Sequence, residues 1–321
     1  MTQFKDLTLR EGSQVPGFQI STDAGKRVID ELVSLDVDVV EISFPRASSR
    51  EEWYRYADDL DIRTVALARA VPGDIDAALQ VGPDEIEIMI NSSDKQLEYA
   101  LGKSRFEAKE LLLTAVDRAI DGGVDVGITL MDAIRAENDF LAEVAKDGVD
   151  AGANHVTLAD TTGYGTPSTV GETVDSVVDV VESDIPISIH AHDDLGVATA
   201  NAAAGVQAGA QIVDATVGGI GERAGNAPLE EVAVLLAENE VPIDLILTEL
   251  VPSIKKIHNI LDLTIPPAKP IIGERAYRHE SGMHTAAMLQ DPSTYEPFTP
   301  AEYGGERTLL FGSDTGRGAV K

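Results

Sequence analysis

Pro186-Ile187-Ser188-Ile189-His190-Ala191-His192-Asp193-Asp194-Leu195-Gly196 joins a short apolar run to two histidines one residue apart. Ile187 to Ile189 has the β-branched character of a buried strand. On a strand, side chains at i and i+2 share a side, so His190 and His192 face one way. Two imidazoles aimed at one point suit a divalent transition metal, and Asp193 and Asp194 behind them are placed to orient the rings. Two histidines satisfied by local hydrogen bonds at a strand end would look the same. The His-x-His spacing alone leaves both readings open.

Outward from this stretch the chain alternates between strand-like and helix-like segments. Phe4 to Leu9 is a short apolar-alternating run, and Ser21-Thr22-Asp23 starts a helix with apolar spacing through Val28, Ile29, Leu32 and Val33. Strands are expected over Val37 to Phe44, Arg63 to Ala68, Glu85 to Ile90, Val124 to Leu130, His155 to Leu158 and Ile212 to Val217. Helical patterns separate them. This regular alternation predicts a parallel (β/α)8 TIM barrel. A doubly wound sheet is the alternative, but no Gly-x-Gly-x-x-Gly follows an early strand.

In a barrel, chemistry sits where strands end. Here Arg10-Glu11, Asp160-Thr161, His190/His192 and Glu222-Arg223 with Asn226 all fall at such ends. As strand neighbours, Arg10 and Glu11 would face opposite ways. Both reach the mouth only if the chain turns there, which Gly12 permits; a structural ion pair is the other reading.

The chain has 321 residues, 43% of them hydrophobic, no cysteine and a formal net charge of -30. Disulfides and thiolate metal ligands are therefore excluded. No apolar run approaches the ~20 residues that span a bilayer, and no basic-then-apolar leader opens the sequence. A cytoplasmic protein is expected. Spread-out acidic residues disfavour nucleic-acid and anionic-membrane partners. They fit a halophilic, salt-rich cytosol, where screening removes self-repulsion.

Near Val241 the pattern changes, which divides the chain into a barrel over 1–242 and a small loop-rich, partly helical subdomain over 243–321. Leu245 to Leu261 reads as helix, and Pro266 to Pro270 as a stiff linker. The remainder is too poor in apolar residues to stand alone and must dock on a barrel, its own or a partner's.

Asp6-Leu7-Thr8-Leu9-Arg10-Glu11-Gly12 resembles the opening motif of the aspartate-arginine-glutamate barrel metal enzymes. These include 2-isopropylmalate, homocitrate and citramalate synthases and 3-hydroxy-3-methylglutaryl-CoA lyase. Leu67-Ala68-Arg69-Ala70, the His190 to Gly196 run with Ala200-Asn201, and Gly219 to Asn226 are similar to later motifs of that family. His279 to His284 and Pro292 to Pro297 resemble the synthases' region after the barrel.

The resemblance implies a metal-dependent Claisen-type condensation of acetyl-CoA with a 2-oxo acid. Glu11, His190, His192 and Asn226 would hold one divalent cation (Mg, Mn, Co or Zn). Arg10 would face the carbonyl oxygen of the oxo acid and Thr161 its carboxylate, with Thr129 and Glu87 also near substrate. His284 and Tyr295 match an acid/base pair often supplied by the neighbouring subunit, which implies a homodimer. An HMG-CoA lyase-like carbon–carbon cleavage, or a paralogue with altered catalysis, is the alternative. Two departures stand out. Met131 replaces a glutamate linked to enolisation, leaving His284 as the candidate base and Glu87 as second, provided burial raises its pKa. Gly312 to Arg317 replaces a lysine-histidine-serine turn, and no regulatory domain is expected after Lys321.

Overall fold

The computed structural model describes residues 1–181 and 185–310. Among them, eight parallel strands close into a barrel in the order β1 to β8. They are β1 Gln3–Asp6, β2 Val39–Ser43, β3 Arg63–Arg69, β4 Glu85–Asn91, β5 Asp125–Met131, β6 His155–Asp160, β7 Ile187–Ala191 and β8 Ile212–Ala215. Each expected strand is present, within a few residues of its expected limits. The turn Gly312 to Arg317 lies outside the described residues.

The outward faces of the strands are mostly apolar and pack under helices. On β4, Ile86, Ile88 and Ile90 point that way, while Glu85, Glu87 and Met89 alternate inward. The helices begin where the sequence offers caps: the Ser21 hydroxyl accepts the Ala24 N–H at 3.1 Å. Ser104 and Glu107 form a reciprocal box at the head of helix Arg105–Asp121.

The run expected as strand from Phe4 to Leu9 divides after Asp6. The Asp6 carboxylate takes the Thr8 N–H at 2.9 Å and the Thr8 hydroxyl at 2.8 Å, which starts a one-turn helix, Thr8–Gly12. Arg10 and Glu11 therefore sit on a helical turn rather than at a strand's end. Asp6, not Gly12, makes the chain turn.

Beyond the barrel, helix Leu250–Ile260 packs on helix Thr22–Ser34. The tail that follows has a small cluster of its own, Tyr277, Phe298 and Tyr303, in edge-to-face contact. The Tyr303 hydroxyl reaches Glu238 of the last barrel helix at 2.5 Å, so part of this tail docks on its own barrel. Two short strands, β9 Arg278–His279 and β10 Thr308–Leu309, pair within it. Among the described residues no helix is long and apolar enough to cross a membrane.

Candidate active site

His190 ends β7 and His192 follows it, and the two rings converge with their Nε2 atoms 3.3 Å apart. The Glu11 carboxylate enters the same space from the helical turn after β1. Donor atoms of Glu11, His190 and His192 all lie within 4.8 Å of one another, and all three residues are buried. Asn226 arrives from the loop after β8. That loop is stitched to the histidine segment by Asp193 N–H to Gly225 O at 2.9 Å and Ala227 N–H to Ala191 O at 3.0 Å. A Cβ at Gly221 would lie 2.1 Å from Asn226 Nδ2, so the residue there must be glycine for Asn226 to occupy its place.

Two acceptor oxygens in this cluster, Glu11 Oε2 and Asn226 Oδ1, are buried without any hydrogen-bond partner, as is the ring nitrogen His192 Nδ1. Buried acceptors are rarely left so. A cation would supply what the two oxygens lack, and the nitrogen and oxygen donors fit a borderline or hard divalent ion. Burial alone would raise the Glu11 pKa, but Arg10 and the two histidines outweigh it and hold it at about 2. Burial and His190 push His192 down to about 4. A carboxylate and a neutral imidazole are the forms that ligate.

The expected role of Asp193 and Asp194 is not what the structure shows. Asp193 accepts the Ala198 N–H at 2.8 Å, and Asp194 is forked onto Arg223 at 2.8 and 2.9 Å. The carboxylate beside the ring is Asp214 of β8, with Oδ2 3.5 Å from His190 Nδ1 and Oδ1 accepting the Ser188 hydroxyl at 2.7 Å. Arg223 also donates to Thr161 O at 2.9 Å, tying the loops after β6, β7 and β8 together.

Above the cluster is a cavity of about 220 Å³ whose lining includes Arg10, Glu11, Glu87, Thr129, Thr161, His190 and His192. Arg10 donates to Glu11 and to Glu41 of β2. Glu41 had no signal in the sequence beyond being an acid inside an apolar strand; burial raises its pKa even beside Arg10. Thr161 accepts the Asp132 N–H at 2.8 Å. Thr129 donates its hydroxyl to Glu87.

Glu87 is fully buried, yet its pKa is not raised. Burial favours a rise, but the Lys5 ammonium and His155 overcome it and hold the carboxyl well below its ordinary value. Glu87 therefore lacks the raised pKa on which its role as a base was conditioned. Glu85, Glu87 and His155 also lie close enough to hold a cation. Positive charge is already there, from Lys5 on Glu87 and Arg63 on Glu85.

His284 and Tyr295 are brought together, their rings stacked at 3.8 Å between centroids. Neither lines the cavity of this chain.

The closed strand order and the polar cavity at the strands' carboxyl ends are those of a TIM-barrel enzyme scaffold. The chain belongs to the HMGL-like family, whose model matches residues 1–257; a model described as "Homocitrate synthase post-HMGL domain-like" matches 271–321. A Methanopyrus kandleri protein named "Probable 2-isopropylmalate synthase" is 41% identical over 98% of this chain and 64% of its own length. A homocitrate synthase of the same organism is 39% identical over 98% of this chain and 80% of its own length. A 2-isopropylmalate synthase of Sulfolobus acidocaldarius is 37% identical over 98% of this chain and 83% of its own length. Among solved structures, the HMG-CoA lyase of Pseudomonas aeruginosa shares the fold, with a TM-score of 0.73, 22% identity, and coverage of 82% of this chain and 94% of that one.

Proposed function

We propose that this chain is a divalent-metal-dependent acyltransferase that condenses acetyl-CoA with a 2-oxo acid to give a 2-hydroxy acid with an added carboxyl group. The observation that carries this is the pair of donor-less buried oxygens on Glu11 and Asn226 beside the converging rings of His190 and His192. It stands within a chain of the HMGL-like family whose relatives are named as synthases.

Glu11, His190, His192 and Asn226 would hold the cation. Bound there, it would serve as a Lewis acid toward the carbonyl of the oxo acid. Arg10 is fixed by Glu11 and Glu41, so its charge is preorganised where alkoxide develops as the new bond forms. The Thr161 hydroxyl oxygen is occupied by the Asp132 N–H, which leaves its hydrogen to donate to the substrate carboxylate. Met131 lines the cavity and cannot take a proton, so we assign removal of the acetyl methyl proton to His284, with Tyr295 stacked on it as its partner.

Neither residue lines its own cavity, and Met283 and Leu289 beside His284 are 71% and 59% exposed. This supports delivery of His284 across a homodimer to the neighbouring barrel. A lyase reading would use the same cation and Arg10; the match over 271–321 favours the synthase.

The test is release of free thiol from acetyl-CoA by purified protein. Release should require both a 2-oxo acid and a divalent cation, and should cease on chelation. Thiol release that is indifferent to the oxo acid would overturn the proposal.

A further inference from the structure

We propose that the 2-oxo acid taken by this site has an uncharged, apolar side chain and carries no second carboxylate. This rests on the condensing reading above and narrows it to one substrate class. The argument begins with how the barrel divides its mouth. The cation-ligating groups and Arg10 come from one arc, the turn after β1 together with β7 and β8, while Glu41, Glu87, Thr129 and Thr161 reach the cavity from β2, β4, β5 and the end of β6. The facing arc, β2 to β6, contributes Phe44, Leu67, Met89, Met131 and Ala159 to the cavity lining.

Strand register places these groups at the right height. Met131 of β5 pairs with Ala159 of β6, Ala159 with His190 of β7, and His190 with Asp214 of β8. Met131 and Ala159 therefore stand on the same rung as a metal-site histidine. Met89 lies on the neighbouring strand beside Thr129, one inward step below Met131. A molecule anchored by its carboxylate and carbonyl at the charged arc has to send its side chain toward this wall. Methionine packs well around varied apolar shapes.

Among its described residues, this chain offers a second carboxylate no free lysine or arginine in the cavity. Arg10 is the one lysine or arginine among the described residues lining the cavity, and its guanidinium already serves Glu11 and Glu41. Nearby cations are also committed. Lys5 is paired with Glu87 and Asp214, Arg135 with Asp132, and Arg223 with Asp194. The lining meanwhile carries the carboxylates Glu11, Glu41, Glu87, Asp214 and Glu222. A distal carboxylate would be stripped of water and set against like charge, while an apolar chain would bury itself.

The test uses the purified protein with Mn²⁺ in high salt. Thiol release from acetyl-CoA is measured with pyruvate, 2-oxobutanoate and 3-methyl-2-oxobutanoate against oxaloacetate and 2-oxoglutarate. The same acids are titrated calorimetrically without acetyl-CoA. An apolar acid should exceed both dicarboxylates in kcat/KM by about 10²-fold or more. In Met131→Arg, which adds a cation to the wall, the 2-oxoglutarate-to-apolar ratio should rise by at least about tenfold. Equal or better use of a dicarboxylate by the unaltered protein would overturn the substrate class while leaving the condensing reading intact. Selective calorimetric binding of an apolar acid with no thiol release would uphold the class and sink the condensing reading. No binding of any of the acids would overturn both.

Discussion

His190 owes its environment to residues far away in sequence. Its neighbour Asp214 lies on the next strand, held by the Ser188 hydroxyl and by Lys5 at 3.1 Å. A carboxylate in that position fixes the ring's orientation. Asp214→Asn should weaken Mn²⁺ or Co²⁺ affinity by ~10–100-fold, measured by calorimetry, with the far-ultraviolet spectrum unchanged. Unaltered affinity would show that the ring is held without Asp214. Glu230 offers a second test. It is wholly buried, accepting the Gly218 N–H at 3.0 Å, and burial lifts its pKa to about 7. Its folded pKa is raised, so its contribution to stability is complete below the unfolded value and declines as pH climbs toward 7. Glu230→Gln removes that decline. The variant should match the parent near pH 4.5 and exceed it by up to about 3 kcal/mol above pH 7 in urea unfolding. That Glu11, His190, His192 and Asn226 gather at one place was legible through the motifs that resemble the family. Asp214 and Glu41 were not, because partnership across strands depends on register, which a single strand's sequence does not carry.

At the scale of elements, β-branched runs and helix caps were legible, and strand limits shifted by only a few residues. The error at Phe4 to Leu9 has a specific cause: an aspartate two residues before a threonine can end a strand by bonding the backbone ahead of it. That single turn is what puts Arg10 and Glu11 on one wall of the mouth. The loop after β8 is equally dependent on one position. Gly221→Ala should displace Asn226, lowering metal affinity by at least tenfold with a loss of roughly 1–3 kcal/mol in stability. A fully loaded, equally stable variant would show that the loop relaxes freely. The tail carries a further prediction. His284→Ala should reduce turnover by ~10²–10⁴ and abolish deuterium exchange into the methyl group of acetyl-CoA, with metal content unchanged. Normal exchange would remove His284 as the base.

For the whole molecule, the alternation of strands and helices revealed the barrel, because each buried parallel strand needs a covering helix. How the tail divides its contacts was not legible. Its aromatic cluster is local, but the exposed Met283 and Leu289 concern a surface that no single chain's pattern defines. The charge of -30 acts at this scale as well. Raising KCl from about 0.1 to 2 M shortens the Debye length from about 10 Å to below about 3 Å, so the unfolding midpoint should rise by several degrees. A midpoint that is flat or falls with salt would contradict a salt-adapted surface.

The most direct measurement concerns the bond itself. Acetyl-CoA carrying ¹³C in its methyl group is incubated with the protein, Mn²⁺ and an unlabelled 2-oxo acid, and the products are followed by carbon NMR. The expected result is a labelled methylene within a 2-hydroxy dicarboxylic acid, formed in step with free thiol and absent from His190→Ala. Label found only in acetate, or no product beyond the starting thioester, would contradict a condensing enzyme.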